Sequence, residues 1–165
     1  MYDGAPSENL TGTDLQHDFI DWGYDLFKDR NTLKSTFTHG DFFDADTAGL
    51  EEQSFDLIYA AAFFHLFSWD EQVEAMSKAV RLLKPKAGSV LFGQQVGGSH
   101  AGTFQHSETR SGELYRHNEE SLRQLISQVQ GEIGLELGFE VQKMEDARQW
   151  EKYQWSILRF RVTLQ

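Results

Sequence analysis

The sequence predicts an α/β fold around a largely parallel sheet, and three observations carry that expectation. Short apolar runs alternate with stretches whose apolar residues recur at helical spacing. The first two strand candidates each stop at an acid, Asp14 and Asp41. The third, residues 55–62, is nearly continuous in apolar side chains, as expected of a strand covered on both faces at the centre of the sheet.

In chain order, residues 10–15 read as a strand and residues 18–30 as a helix carrying Phe19, Ile20, Trp22, Leu26 and Phe27. Residues 35–41 form a short, polar second strand. After the central strand, Ser68 and Glu71 make a capping box, and Val73, Met76, Val80 and Leu83 make one helical face that Lys84-Pro85 stops. Residues 89–93 are the next strand, and a polar loop is expected from Gln94 to Gly112. Asn118 is the N-cap of a helix with Leu122, Leu125, Ile126 and Val129 buried, ending near Gly131 or Gly134. Residues 139–144 and 155–164 close the chain as strands. In the second, Leu158, Phe160, Val162 and Leu164 share one face and Arg159, Arg161 and Thr163 the other.

Composition bounds the function. At 165 residues the chain, 1–165, is read as one domain. A formal charge of −11 argues against nucleic acid and anionic membrane as partners. The chain has no cysteine, hence no disulfide framework or thiolate metal site, and no pair of its six histidines has metal-ligand spacing, so no metal is expected. No apolar run precedes the first strand, and a cytoplasmic location is expected. Aromatic residues make up 13% of the chain, which suits a thick core, the use expected for most of them, or a pocket for a bulky apolar ligand.

His65, just past the central strand, stands where open α/β sheets bind ligands, as acid, base or hydrogen-bond partner, or else is a histidine satisfied among aromatic side chains. Tyr59, Gln94 and Gln95 are further candidate donors. His117, before the N-cap, is read as local structure. The glycines of residues 95–102 follow a strand but open no helix, so they match a phosphate cradle poorly.

Four segments carry a resemblance: residues 3–10 (Asp-Gly-Ala-Pro-Ser-Glu-Asn-Leu), 23–30 (Gly-Tyr-Asp-Leu-Phe-Lys-Asp-Arg), 92–97 (Phe-Gly-Gln-Gln-Val-Gly) and 115–121 (Tyr-Arg-His-Asn-Glu-Glu-Ser), joined by Arg81-Leu82-Leu83-Lys84-Pro85. Together they resemble class I S-adenosylmethionine-dependent methyltransferases, specifically small-molecule enzymes of fungal natural-product pathways such as those acting on meroterpenoid precursors. The resemblance implies a Rossmann-like sheet with a C-terminal antiparallel strand pair. It implies that Asp14 holds the ribose hydroxyls of S-adenosylmethionine, that Asp41 contacts the adenine amine, and that Phe42 packs on the adenine ring. A carboxylate suits both tasks; read from the residues alone, Asp14 equally caps a helix and Asp41 equally ends a strand.

The family's first strand, glycine-rich loop and first helix have no counterpart here, which weakens the expected hold on S-adenosylmethionine. By the resemblance that strand lies between the first strand of this chain and its central one. Its absence leaves two unpaired edges, to be repaired by direct pairing, by a homodimer or by a partner subunit. The expected function is natural-product tailoring by a methyltransferase-like protein with a bulky apolar substrate, and not conventional methyl transfer by the chain alone. The alternatives are a cofactor-independent cyclase or isomerase on the same fold, a non-catalytic pseudoenzyme subunit, and an incomplete gene model of an ordinary methyltransferase.

Overall fold

A computed structural model describes residues 6–44, 50–106, 108–144 and 155–165. The first five residues, which begin one of the resembling segments, lie outside this set. The chain divides into two compact units, residues 1–50 and 51–165.

In the first unit, β1 (Thr11–Asp14) and β2 (Thr36–His39) pair in parallel, with Asp14 opposite His39. Between them runs α1 (His17–Phe27). It ends three residues earlier than its periodicity suggests, because Lys28 turns left-handed at φ 56° and returns its N–H to the Tyr24 carbonyl. Arg30 then folds back over the Tyr24 ring and pairs with Asp21 at 2.8 Å.

In the second unit, β3 (Leu57–Ala61), β4 (Val90–Gly98), β7 (Leu137–Lys143) and β8 (Trp155–Leu164) form one sheet in the order β3-β4-β8-β7. The β3–β4 pair is parallel; β4–β8 and β7–β8 are antiparallel, and the latter is the expected C-terminal pair. Two helices, α2 (Trp69–Leu82) and α3 (Glu119–Ile133), pack on one another. Their stripes of Val73, Met76 and Val80 and of Leu122, Leu125, Ile126 and Val129 build the core with Leu91, Leu158, Phe160 and Val162 of the sheet. Both helices begin with the expected caps, Ser68 with Glu71 and Asn118 with Ser121, and α3 ends at Gly134 in the left-handed region that glycine favours.

Three expectations are corrected. The central strand is an edge: among the described residues β3 pairs only with β4, and Leu57 and Tyr59 are 65% and 63% exposed. An apolar run records a strand's capacity for cover without saying what covers it. The polar loop from Gln94 is the far end of β4 followed by a hairpin of β5 (Gly102–Gln105) and β6 (Glu113–Arg116). Gly97 sits in β4, where an added Cβ would fall 2.6 Å from the His117 carbonyl, so the close approach of two backbones explains that glycine. Finally, the aromatic residues do not chiefly fill the core: among the described residues only Phe64 and Phe160 are aromatic members of it.

A buried polar hub ties the second unit together. The Gln72 amide nitrogen donates to the carbonyls of Phe67 and Tyr115, at 3.0 and 2.8 Å, which fixes the amide's orientation. Its oxygen can only accept, so His117, 3.2 Å away, carries its proton on Nε2, and Nδ1 faces the Ser121 hydroxyl at 2.9 Å. His117 and Gln72 are both fully buried. Burial pushes the His117 pKa down from 6.5 to about 4.

Because the folded value lies below the unfolded one, the stabilisation is complete above pH 6.5 and is lost as pH falls toward 4. At about 1.36 kcal/mol per unit, wild type should lose about 2–3 kcal/mol between pH 7 and 4.5 that a His117→Gln variant does not lose. Urea unfolding of both proteins at the two pH values checks this, and parallel losses would show that His117 does not titrate as described.

Candidate functional site

Asp14 and Asp41 stand at the C-terminal ends of neighbouring parallel strands. Asp14 is the last residue of β1, and Asp41 lies two residues past the end of β2. Each carboxylate is oriented by a local amide: Asp14 Oδ1 accepts from Gln16 N at 2.8 Å, and Asp41 Oδ1 accepts from Phe43 N at 2.9 Å. These are short turns stabilised by the acid's own side chain; Asp14 does not cap α1, whose N-cap is Gln16. They also point two oriented carboxylates from one end of a sheet. Phe42 is half-buried in the turn after Asp41.

Beside these strands is a cavity of about 260 Å³ whose lining includes Asp14, Phe19, Tyr24, Phe27 and Phe37. Gly12 borders it, packed so closely that an added Cβ would meet the Phe37 ring at 2.8 Å. The mixture of aromatic walls and two carboxylates, Asp14 and Asp29, suits a planar ring bearing hydroxyls or an amine.

The second unit holds the remaining candidates. Past β3 the chain reverses at Ala62, whose φ of 53° is unfavourable for a residue with a Cβ and whose N–H bonds the Gln94 carbonyl at 2.8 Å. The reversal feeds a single 3-10 turn, Phe64–Leu66, that packs against β4 and β6. His65 lies on this turn with Nδ1 buried and without a hydrogen-bond partner, so it is not a satisfied core histidine. Burial, and then the positive charge of Arg116, lower its pKa, which keeps the imidazole neutral at physiological pH.

The other sequence candidates are not gathered around it. Tyr59 and Gln94 share one face of the sheet through the register Tyr59 to Phe92 and Ala61 to Gln94, whereas Gln95 points to the opposite face. Tyr59 leans on Phe92, ring centroids 5.2 Å apart. Gln95 is buried with neither amide atom hydrogen-bonded. Sequence reasoning missed Arg116, whose guanidinium lies 4.5 Å from the Phe104 ring and 4.9 Å from the Trp155 ring. Arg116 stood within a segment that carried the resemblance; its two aromatic neighbours are brought to it only by strand pairing.

The methyltransferase domain family matches residues 2–86, just over half of the chain. The chain belongs to the class I S-adenosylmethionine-dependent methyltransferase family. Its relatives place it in the fungal natural-product branch. It is 46% identical over 150 residues to the O-methyltransferase phiE of a fungal species, covering 88% of this chain and 49% of that protein. It is 34% identical over 148 residues to the asnovolin E/chermesin D methyltransferase nvfJ of Aspergillus novofumigatus, covering 88% and 53%. The chain therefore spans about half the length of these curated relatives. Its Rossmann-like methyltransferase fold is shared with the [4+2]-cyclase SpnF, at a TM-score of 0.64, 17% identity, and coverage of 93% of this chain and 66% of that one.

The residues present fit the adenosine end of the methyltransferase cofactor: Asp14 offers an oxygen beyond the one held by Gln16, apt for ribose hydroxyls, and Asp41 is oriented by Phe43 N. Among the described residues, the strand-to-helix connections at 15–16, 62–68 and 117–118 contain no glycine. No group of three or more His, Asp or Glu side chains among the described residues is placed to hold a metal ion. No helix among them is long and apolar enough to cross a membrane.

Proposed function

We propose that this chain tailors a bulky, apolar, oxygenated natural product in the cytoplasm, as the adenosine-binding and acceptor-binding portion of an S-adenosylmethionine-dependent O-methyltransferase. The observation that carries the proposal is the pair of oriented carboxylates, Asp14 and Asp41, on adjacent parallel strand ends in a chain 46% identical to an O-methyltransferase. S-adenosylmethionine supplies an electrophilic methyl group when bound. Asp14 accepts from the ribose hydroxyls, Asp41 accepts from the adenine amine, and Phe42 packs on the ring. His65, held neutral, accepts a proton from the substrate hydroxyl or positions it by a hydrogen bond.

Methyl transfer is completed in an assembly with a second copy or a partner subunit. The open edge of β3 supports this reading, with Leu57, Tyr59 and the 38%-exposed Phe92 on one uncovered face. Aromatic surface of that extent on a sheet edge is unusual for an isolated subunit.

A second reading is a cofactor-independent cyclase or isomerase, favoured by the fold shared with SpnF. Shape and a few hydrogen-bond donors suffice for such chemistry.

Calorimetric titration with S-adenosylhomocysteine separates the two. Binding by the wild type, weakened at least tenfold in Asp14→Ala and Asp41→Ala, is the expected result; no binding would remove the methyl-transfer reading and leave the second. For the assembly, sedimentation should show wild type larger than a monomer and Tyr59→Glu shifted toward it. A monomeric wild type at micromolar concentration would remove that part of the proposal.

A further inference from the structure

Arg116 is a half-buried cation without a counter-ion among the described residues. Among the described residues no carboxylate pairs with it, its Nε is buried with no acceptor, and burial is what lowers its pKa. This is an unusual position for an arginine in a chain that carries 26 acidic residues against 15 basic ones. With so many carboxylates available, leaving this guanidinium unpaired costs more than pairing it, since an unsatisfied buried polar group is worth roughly 1–3 kcal/mol and a charged one more.

The surroundings say what kind of group is missing. The guanidinium is in contact with two aromatic rings, Phe104 at 4.5 Å and Trp155 at 4.9 Å. Arg116 pairs directly with Gly102 in the hairpin, so no opposing side chain keeps it from Phe104, two residues along β5. Cation–π contact engages the guanidinium with both rings but accepts none of its N–H bonds, which remain as donors. Those donors form a planar fork matched to two oxygens of one anion. The same charge acts on His65, whose Nδ1 is also without a partner.

We infer that Arg116 is the docking residue for the oxyanion of a planar aromatic ligand, with Phe104 and Trp155 flanking the anion's site and His65 next to it. The anion completes the hydrogen bonding that the protein leaves open, and the ligand's ring extends the aromatic contact. This deepens the acceptor side of the proposed function and rests on that reading for its biological meaning.

The test uses 2-naphthoate as probe and the neutral 2-naphthamide as its isostere, titrated calorimetrically into the full chain without cofactor. Wild type should bind the acid at least tenfold more tightly than the amide. Arg116→Met should erase that preference, while Arg116→Lys should retain part of it. Because an Arg116 variant can misfold, the second measurement is on wild type: saturating naphthoate should raise the His65 pKa, read by NMR of its imidazole protons, as the anion cancels the arginine's charge. Equal binding of acid and amide, no binding of the acid, preference surviving in Arg116→Met, or an unmoved His65 would each overturn the inference. None of these readings involves S-adenosylhomocysteine, so failure here and failure of the cofactor titration are separate results.

Discussion

The second unit depends on one buried amide. Gln72 sits in α2 and yet serves the backbone of two other segments, the turn at Phe67 and the end of β6 at Tyr115, while its oxygen holds His117 at the start of α3. Removing it would leave the Tyr115 carbonyl and an imidazole N–H unpaired in a buried interior, and would take from the Phe67 carbonyl one of its two donors, the other being Tyr115 N. The turn carrying His65 and the strand carrying Arg116 are both fastened to this side chain. A residue with no chemical role therefore determines where the chemically interesting ones stand.

The second constraint is how the sheet is covered. On one face, Leu91, Leu158, Phe160 and Val162 meet two well-capped helices and are buried. On the other, Leu57, Tyr59 and Phe92 have no cover in their own unit. The same strands thus contribute to a complete interior and an open surface, and the difference lies in what faces them. This is why the aromatic content, which suggested a thick core, instead supplies surface: leucine, valine and methionine fill the interior, and the rings are spent on faces, cavities and the Arg116 site.

Local chemistry was legible wherever one short stretch decides the outcome. The Ser68 and Asn118 caps, the stripe of α3 and the alternation in β8 follow from residues within a turn or two of one another. The acids at the strand ends were legible as positions, although their turns with Gln16 and Phe43 appear only in the structure. What could not be read depends on distant neighbours. The hairpin of β5 and β6 is polar and lacks strict alternation, and its pairing is seen only when Gly102 is set against Arg116. Residues 55–62 have the pattern of a central strand because apolar content is the same whether cover is present or absent. Arg116 gains Phe104 and Trp155 from 12 and 39 residues away, separations at which no periodicity speaks.

An arginine that receives an anion in a protein of charge −11 poses an electrostatic contradiction that distance resolves. At physiological ionic strength the Debye length is about 8 Å, so the repulsion summed over a scattered acidic surface is largely screened beyond that distance. The attraction at Arg116 acts at contact, in a partly desolvated niche between two rings, where the same charge is worth several times its value in water. The acidic surface governs how readily an anion arrives, and the niche governs whether it stays. A ligand whose aromatic body fills the niche gains where a small free anion does not, because only the former replaces the water lost from the guanidinium with contacts to Phe104 and Trp155. Selectivity for a bulky acid over the inorganic anions of the cell therefore follows from the combination of one unpaired cation, two rings and an otherwise repellent surface.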